Sequence, residues 1–261
     1  MANHVYRFPQ FSLRFAPIWR RNFLVWKKLA KASVLGNVAD PLITLIAFGY
    51  GLGSLLKSID GIPYIHYLAS GSICMSIMMA ASFEALYSAF SRMHVQKTWE
   101  ALLNAPLSLD DVLLAEALWA ATKSLFSGIA ILLVMFALGI GLHPATILVL
   151  PLLFLTGLCF AAIGLVINAL ARNYDFFTYY FTLVLTPMIF LSGVYYPVAQ
   201  LPHWLEQLSQ FLPLRATVEL VRPIILGGWP DRVAFNLAII LIYSVGAFYL
   251  ATILTRRRLL T

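Results

Sequence analysis

SRMHVQKTWEALLNAPLSLDDVLLAE, residues 91–116, decides how the rest of the chain is read. It is the longest polar-bearing passage between two long apolar runs. Within it Lys97-Thr-Trp-Glu-Ala-Leu-Leu103 is a short amphipathic segment, and Asn104-Ala-Pro106 is a turn signal that stops it. Ser108-Leu-Asp-Asp111 then has the form of an N-cap for the next helix. Set in a chain that is otherwise mostly membrane, this knuckle is the place where another protein would push.

Its surroundings carry the fold class. Only 11 % of the 261 residues are charged and 61 % are hydrophobic, whereas a soluble domain carries about a quarter charged residues. Repeated apolar runs near 20 residues complete the signature of a polytopic helical membrane protein. The net charge of +7 does not argue for nucleic acid, because the basic residues sit at the two ends and in short loops, where a membrane surface explains them. Cys74 and Cys159 lie inside apolar runs without a partner motif or metal spacing, and read as small packing residues. No metal cluster stands out. The first thirty residues lack the continuous apolar core of a cleavable signal peptide.

Toward the N-terminus, a second span of about 64–90 is rich in small residues (Ser70, Gly71, Ser72, Ala80, Ala81, Ser82). A first span of about 34–56 has Asp40-Pro41 near its start and Gly49-Tyr-Gly-Leu-Gly53 near its end, where glycines allow close helix contact or let the helix finish. Residues 51–58 resemble a phosphate-binding loop superficially. That motif needs glycine before the lysine, where this chain has Leu56, and the segment follows a span rather than a strand. Residues 9–31 form an amphipathic segment. Phe11, Phe15, Ile18, Trp19, Phe23, Trp26 and Leu29 share one side, and Arg14, Arg20, Arg21, Lys27, Lys28 and Lys31 the other. Pro17 is expected to kink or restart the helix. This pattern suits an interfacial helix lying on anionic membrane lipids.

Toward the C-terminus, a third span of about 112–138 and a fourth of about 145–170 are joined by the His143-Pro144 turn. Arg172-Asn-Tyr-Asp175 is a short polar link to a short fifth span of about 177–192, which holds Pro187. Residues 193–231 are broken by Pro197, Pro202, Pro213, Pro223 and Gly227-Gly228. The pieces 203–212 and 216–225 are too short to span and too apolar for a solvated loop, so they read as re-entrant or interfacial half-helices. A sixth span of about 233–254 ends in Arg256-Arg-Arg258. The expected fold is all-α, a single membrane domain over residues 1–261 with six spans.

Six spans put both termini on one side. That side carries thirteen basic residues: seven in the N-terminal arm including Arg7, then Arg92, Lys97, Arg172 and the tail. The other side carries Lys57, Arg215, Arg222 and Arg232. The basic side is expected to be cytoplasmic, which turns residues 91–111 toward the cytoplasm and the half-helices outward.

Three ionisable residues lie at membrane depth: Glu84, Glu116 and Lys123. Glu116 and Lys123 are seven apart on one helix face, and Glu84 sits at comparable depth on the preceding antiparallel span. They form either a charge network that lines a path or locks the spans, or a static interhelical pair with Glu116 snorkelling outward. They are also the sole basis for an intramembrane-enzyme reading, and without a nucleophile–base motif a non-catalytic chain is expected. Tyr174, Phe176, Phe177, Tyr179, Tyr180 and Phe181, and at the outer end Tyr195, Tyr196, His203 and Trp204, read as aromatic belts or as rings that stack on a sugar. With no nucleotide-binding loop and no chain of acids suited to a proton relay, something else must supply the work.

At this point the chain resembles the membrane subunits of type 2 ABC exporters, and within them the nodulation-protein NodJ group, over nearly its full length. The resemblance rests on Trp19-Arg-Arg-Asn-Phe-Leu-Val-Trp-Lys-Lys28, Gly36-Asn-Val-Ala-Asp-Pro41 with Gly49–Gly53, and Thr98-Trp-Glu-Ala-Leu-Leu-Asn-Ala-Pro106. Leu185-Thr-Pro-Met-Ile-Phe-Leu-Ser-Gly193 with Pro197, and Leu212-Pro-Leu214 with Val221-Arg-Pro223, add to it. It implies a homodimeric permease of the bacterial inner membrane paired with two copies of a separate ABC ATPase. ATP and magnesium would belong to that partner, with no cofactor in this chain.

By the same resemblance residues 97–104 would be the coupling helix. Trp99, Leu102 and Leu103 would enter an ATPase groove, flanked by Lys97 and Glu100, with Arg172 and Asp175 as a minor second contact. The N-terminal helix, with Trp19, Arg20, Arg21, Trp26, Lys27 and Lys28, would lie along the interface. Glu84, Glu116, Lys123, Tyr179, Tyr180, Tyr195 and Tyr196 would line the path. The NodJ group is associated with lipo-chitooligosaccharide export, and relatives export other lipid-linked glycans or drugs, so an amphiphilic substrate is implied. The competing reading is a secondary transporter or channel that needs no ATPase and relies on Glu84, Glu116 and Lys123 for ion coupling.

Overall fold

The computed structural model describes residues 6–10, 12–56, 58–59 and 61–260. Expectations placed on Phe11 and Lys57, and on the side chains of Leu29, Lys31 and Gly36–Pro41, lie outside the described residues.

Helix α1, Phe15–Leu55, runs for 41 residues and joins what the sequence divides into an interfacial helix and a first span. Pro17 falls in the first turn, where its missing N–H removes no intrahelical bond, so it neither kinks nor restarts the helix. Residues 6–10 and 12–14 are non-helical and form a strap ahead of it. A minimal hairpin, β1 Ser58–Ile59 paired with β2 Ile62–Pro63, turns the chain into α2.

Helix α2 spans Tyr64–Val95. Its α-helical part ends at Phe83, and π turns at Glu84–Ser88 and Ser91–Val95 carry it beyond the expected stop at Phe90. The short α3, Thr98–Leu103, follows directly. The corner between them is Lys97, whose backbone is left-handed at φ 51°. Helix α4, Leu109–Ala137, starts at the cap read from sequence: Ser108 Oγ accepts from the Asp111 amide and Asp111 Oδ2 accepts from the Ser108 amide, both at 3.1 Å.

Helix α5, Pro144–Leu170, opens in a 3-10 turn. Arg258 donates to the Asn168 and Ala169 carbonyls at 3.0 Å, satisfying acceptors that the end of α5 leaves open. Helix α6, Asp175–Leu191, contains a π turn at Phe181–Leu185 just before Pro187, which cannot donate a backbone bond. Short helices α7, His203–Ser209, and α8, Pro213–Ile225, precede the long α9, Val233–Leu260.

Among the described residues, α2, α4, α5 and α9 are long and apolar enough to cross a bilayer. The apolar stretch Leu42–Leu55 of α1 and the whole of α6 are shorter, below the roughly 20 residues a full crossing needs. Helices α2, α4 and α5 form the centre, with α1 against α2 and α4, and α9 against α5. Small residues allow the close crossings. A Cβ on Gly157 of α5 would stand 3.2 Å from the Ala121 Cα of α4. One on Gly71 of α2 would stand 2.7 Å from the Val194 carbonyl oxygen. Gly49 lies against Ile65, whereas a Cβ at Gly51 would meet nothing within 4 Å, so only the former is a packing glycine. Helix α8 is buried along most of its length, and its Thr217 hydroxyl pairs with that of Thr156 in α5 at 3.0 Å. That burial explains why the sequence between Gly193 and Asp231 is too apolar for a solvated loop. Cys74 and Cys159 are buried and unpaired, as packing residues should be.

Candidate functional site

The amphipathic knuckle folds as α3, but its faces differ from the sequence expectation. Trp99 is turned inward and only 1 % exposed. Leu102 and Leu103 are half-buried and pack on the core. The outward edge is Lys97, Glu100, Ala101 and Asn104. Lys97 and Glu100 form an exposed ion pair at 3.7 Å, which adds little stability in water. The placement of Trp99 in a partner's groove is therefore corrected. Trp99 is the largest side chain on this six-residue helix, and the adjacent bundle offers it both apolar walls and an acceptor.

That acceptor is Glu116 of α4: the Trp99 indole Nε1 donates to its Oε1 at 3.1 Å. Glu116 is itself 2 % exposed and held by Arg92 of α2, whose Nε donates to Oε1 at 2.9 Å and Nη2 to Oε2 at 2.5 Å. The snorkelling position considered for Glu116 is thus overturned. Arg92 Nη2 also reaches Glu84 Oε1 at 2.9 Å. Glu84, again 2 % exposed, accepts from the Trp119 indole at 2.8 Å and from Lys123 Nζ at 2.6 Å. Glu84, Glu116 and Lys123 therefore do converge, but through Arg92, with no direct Glu116–Lys123 pair. Two carboxylates and two cations form one continuous network between α2 and α4, with Trp99 connecting it to α3. Burying such charges is tolerable only when each is paired and hydrogen-bonded.

Arg92 is the member that sequence reasoning placed in a loop. The signal was present, since Glu84, Ser88 and Arg92 recur every four residues on one helical face. The π turns are what continue the helix far enough to use it.

The N-terminal half of α1 closes over this network. Trp19, Phe23 and Trp26 each set their rings against Trp119, with centroids 6.1–6.4 Å apart, and Trp26 stacks on Phe126 at 5.0 Å. The Trp19 indole donates to Thr122 at 3.1 Å. The aromatic face expected to rest in lipid thus packs against α4, because α4 supplies a complementary aromatic surface. Arg20, Lys27 and Lys28 remain exposed as expected. Arg21 does not: it turns toward the network and donates to Thr98 at 3.4 Å. Burial, and then the neighbouring Arg92, lower its pKa below the ordinary arginine value.

A second polar knot holds the loop after α3 and the start of α4. Arg256 of α9, counted among the basic residues of the tail, is buried and grips Asp110 at the start of α4, with Nη2 2.6 and 2.7 Å from the two carboxylate oxygens. The Gln10 amide donates to Asp110 at 2.9 Å, Ser12 to Asp111 at 2.7 Å and Arg14 to the Pro106 carbonyl at 2.7 Å. The strap, the loop after α3 and the end of α9 are thus tied together.

The remaining expected site residues are scattered. Arg172 and Asp175 are exposed, while Tyr174 between them stacks on Tyr87 and meets Phe90 edge-on, at 5.9 and 5.0 Å. Tyr179 is 64 % exposed and Tyr180 is buried. Tyr195 sits by Met75, to which its hydroxyl donates at 3.4 Å, and Tyr196 is half-buried beside it. The structure gathers none of the four tyrosines with the charge network. Two arginines counted as external loop charges are internal. Arg222 lies 3.7 Å over the Tyr67 ring and donates to Gly193 at 2.7 Å, and Arg215 pairs with Glu219 at 2.7 Å.

Residues 14–226 match the family described as ABC-2 type transporter. The chain belongs to this family. It is 46 % identical to "Nodulation protein J" of Rhizobium leguminosarum bv. viciae over 252 residues, 97 % of each chain. It is 43 % identical to the protein of the same description from Sinorhizobium fredii over 244 residues, 94 % of this chain and 93 % of the relative. The "Inner membrane transport permease YadH" of Escherichia coli is 26 % identical over 234 residues, 89 % and 90 % of the two chains. An ABC-2 chain is the membrane subunit of a transporter, and the family implies an ABC ATPase as partner. Apolar helices and family together make this a membrane protein.

Proposed function

We propose that this chain is the permease subunit of an ATP-driven exporter that moves an amphiphilic substrate, a lipo-oligosaccharide or related glycolipid, across the bacterial inner membrane. The observation that carries the coupling step is the two-sided character of α3. Its outer edge is free and charged, and its inner face is hydrogen-bonded through Trp99 into a network that ties α2 to α4. Displacement of the outer edge by a moving ATPase must therefore displace the network or break it. Six crossings, with the apolar part of α1 and all of α6 as the shorter two, put both termini and α3 on one side, and the exposed Arg20, Lys27, Lys28, Lys97 and Arg172 support a cytoplasmic assignment of that side. Helices α7 and α8 then cap the outer mouth within one permease domain. Two copies of the chain pair with two ATPase subunits, which hold the ATP and magnesium. The export of lipo-chitooligosaccharide associated with the nodulation-protein group that the chain resembles is the reason for preferring a glycolipid cargo over a drug.

The ion pairs disfavour the ATPase-independent reading. Glu84 and Glu116 are each held by cations, whereas ion coupling needs an acid that can release and rebind its proton. Purification of the complex from native membranes separates the two. An ATPase that co-isolates in equal number, and is lost on Glu100→Lys, supports the proposal. Substrate movement by the isolated chain under an ion gradient alone overturns it.

A further inference from the structure

Between the N-terminal half of α1 and the buried network lies a cavity of about 200 Å³, lined by Arg21, Asn22, Trp26, Ser88, Gln96 and Lys123 among others. Three cations meet there, Arg21, Arg92 and Lys123, against the two carboxylates Glu84 and Glu116. The network alone is neutral, so Arg21 leaves the site with one positive charge in excess. Asn22, one of the lining residues, is 4 % exposed; its Oδ1 accepts from Arg21, and its buried amide Nδ2 donates to nothing among the described residues. An orphaned buried donor costs about 1–3 kcal/mol unless an acceptor reaches it. Lys123 uses one of its three ammonium hydrogens on Glu84. The cavity thus offers surplus positive charge, unspent donors and an apolar wall from Val25 and Trp26.

We propose that this cavity is an anion site that takes a phosphate group, held by Arg21, Asn22 and Lys123 beside the charge network. Gln96, at the C-terminal edge of α2, supplies a further donor, while the Ser88 hydroxyl is already engaged by Glu84. A phosphate's charge offsets Arg21, whose own charge is disfavoured by burial and by Arg92, and a turn of the Asn22 side chain brings its orphaned amide to a phosphate oxygen. A free phosphate and a lipid headgroup present the same chemistry. The second needs lateral access, which exposed Val25 and half-buried Trp26 at the rim permit. The site stands whether or not the transport reading holds, because binding is measured without turnover.

The experiment uses the full chain in nanodiscs and follows the fluorescence of its tryptophans, two of which, Trp26 and Trp119, line the cavity. In one arm inorganic phosphate is titrated into phosphatidylcholine discs. In the other, discs carry increasing phosphatidic acid. A saturable response in the first arm alone assigns a soluble anion and in the second alone a headgroup, and either supports the site. Asn22→Asp keeps the size of the side chain and sets a negative charge in the cavity, so it should weaken the response at least about tenfold, as should Arg21→Gln. Both variants must retain the wild-type thermal transition. No saturable response in either arm, or a response that Asn22→Asp and Arg21→Gln leave unchanged, overturns the proposal.

Discussion

Glu116 accepts from two partners on two different elements, Arg92 of α2 and Trp99 of α3, while remaining almost wholly buried. Removing its charge leaves Arg92 with one carboxylate in place of two. Breaking a buried pair from one side costs about 3–5 kcal/mol, so Glu116→Gln should lower the unfolding midpoint strongly. Glu100→Ala on the outer edge should change stability by less than about 0.5 kcal/mol. Equal midpoints for the two variants would show that the network is not what holds α2 to α4. Lys97 adopts φ 51°, a conformation that glycine enters freely and β-branched residues resist. Lys97→Gly should therefore be neutral or slightly stabilising, and Lys97→Val should cost about 1–2 kcal/mol, as read by the same thermal transition.

At the scale of elements, the contact between α4 and α9 depends on Asp110 and Arg256, which join residues far apart in sequence. Asp110→Leu or Arg256→Leu alone strands a buried charge and should destabilise by about 3 kcal/mol or more. The double replacement removes both charges and should recover most of that loss, giving a coupling energy well above 1 kcal/mol in a double-mutant cycle. Additive losses would mean that the pair is incidental. Element identity was largely legible in the sequence. The cap at Ser108–Asp111, the helix at 98–103 and the apolar runs of α2, α4, α5 and α9 follow from periodicity and turn chemistry. Which face of α3 and α1 turns inward was not legible. An amphipathic pattern says that one side is apolar but not whether lipid, a partner or another helix covers it. Trp119, the ring that draws Trp19, Phe23 and Trp26 onto α4, sits about a hundred residues away. Arg92 was misplaced for a different reason: two π turns lengthen α2 past the last residue that composition alone would call helical.

For the whole molecule, the strap, the loop after α3, α4 and α9 converge on one end of the bundle, which also carries α3 and the charge network. Movement at that end has rigid elements to follow, since α2 and α4 run from it through the length of the core. The Arg222 contacts at the other end join α8, α2 and the turn after α6 in the same manner. The orientation predicts that a cysteine at Glu100 reacts with an impermeant maleimide only from the cytoplasmic side, and one at Trp204 only from the outside. The reverse pattern would invert the topology. The central claim is that an ATPase drives this permease through α3 and Trp99. Its most direct test measures ATP hydrolysis and substrate export together in proteoliposomes containing the complex, with the wild-type chain and with Trp99→Phe. The replacement keeps an aromatic ring and removes the hydrogen bond to Glu116. The account predicts that hydrolysis persists while export falls about tenfold or more, in line with the loss of a charged hydrogen bond. Export at the wild-type rate per ATP hydrolysed would contradict it.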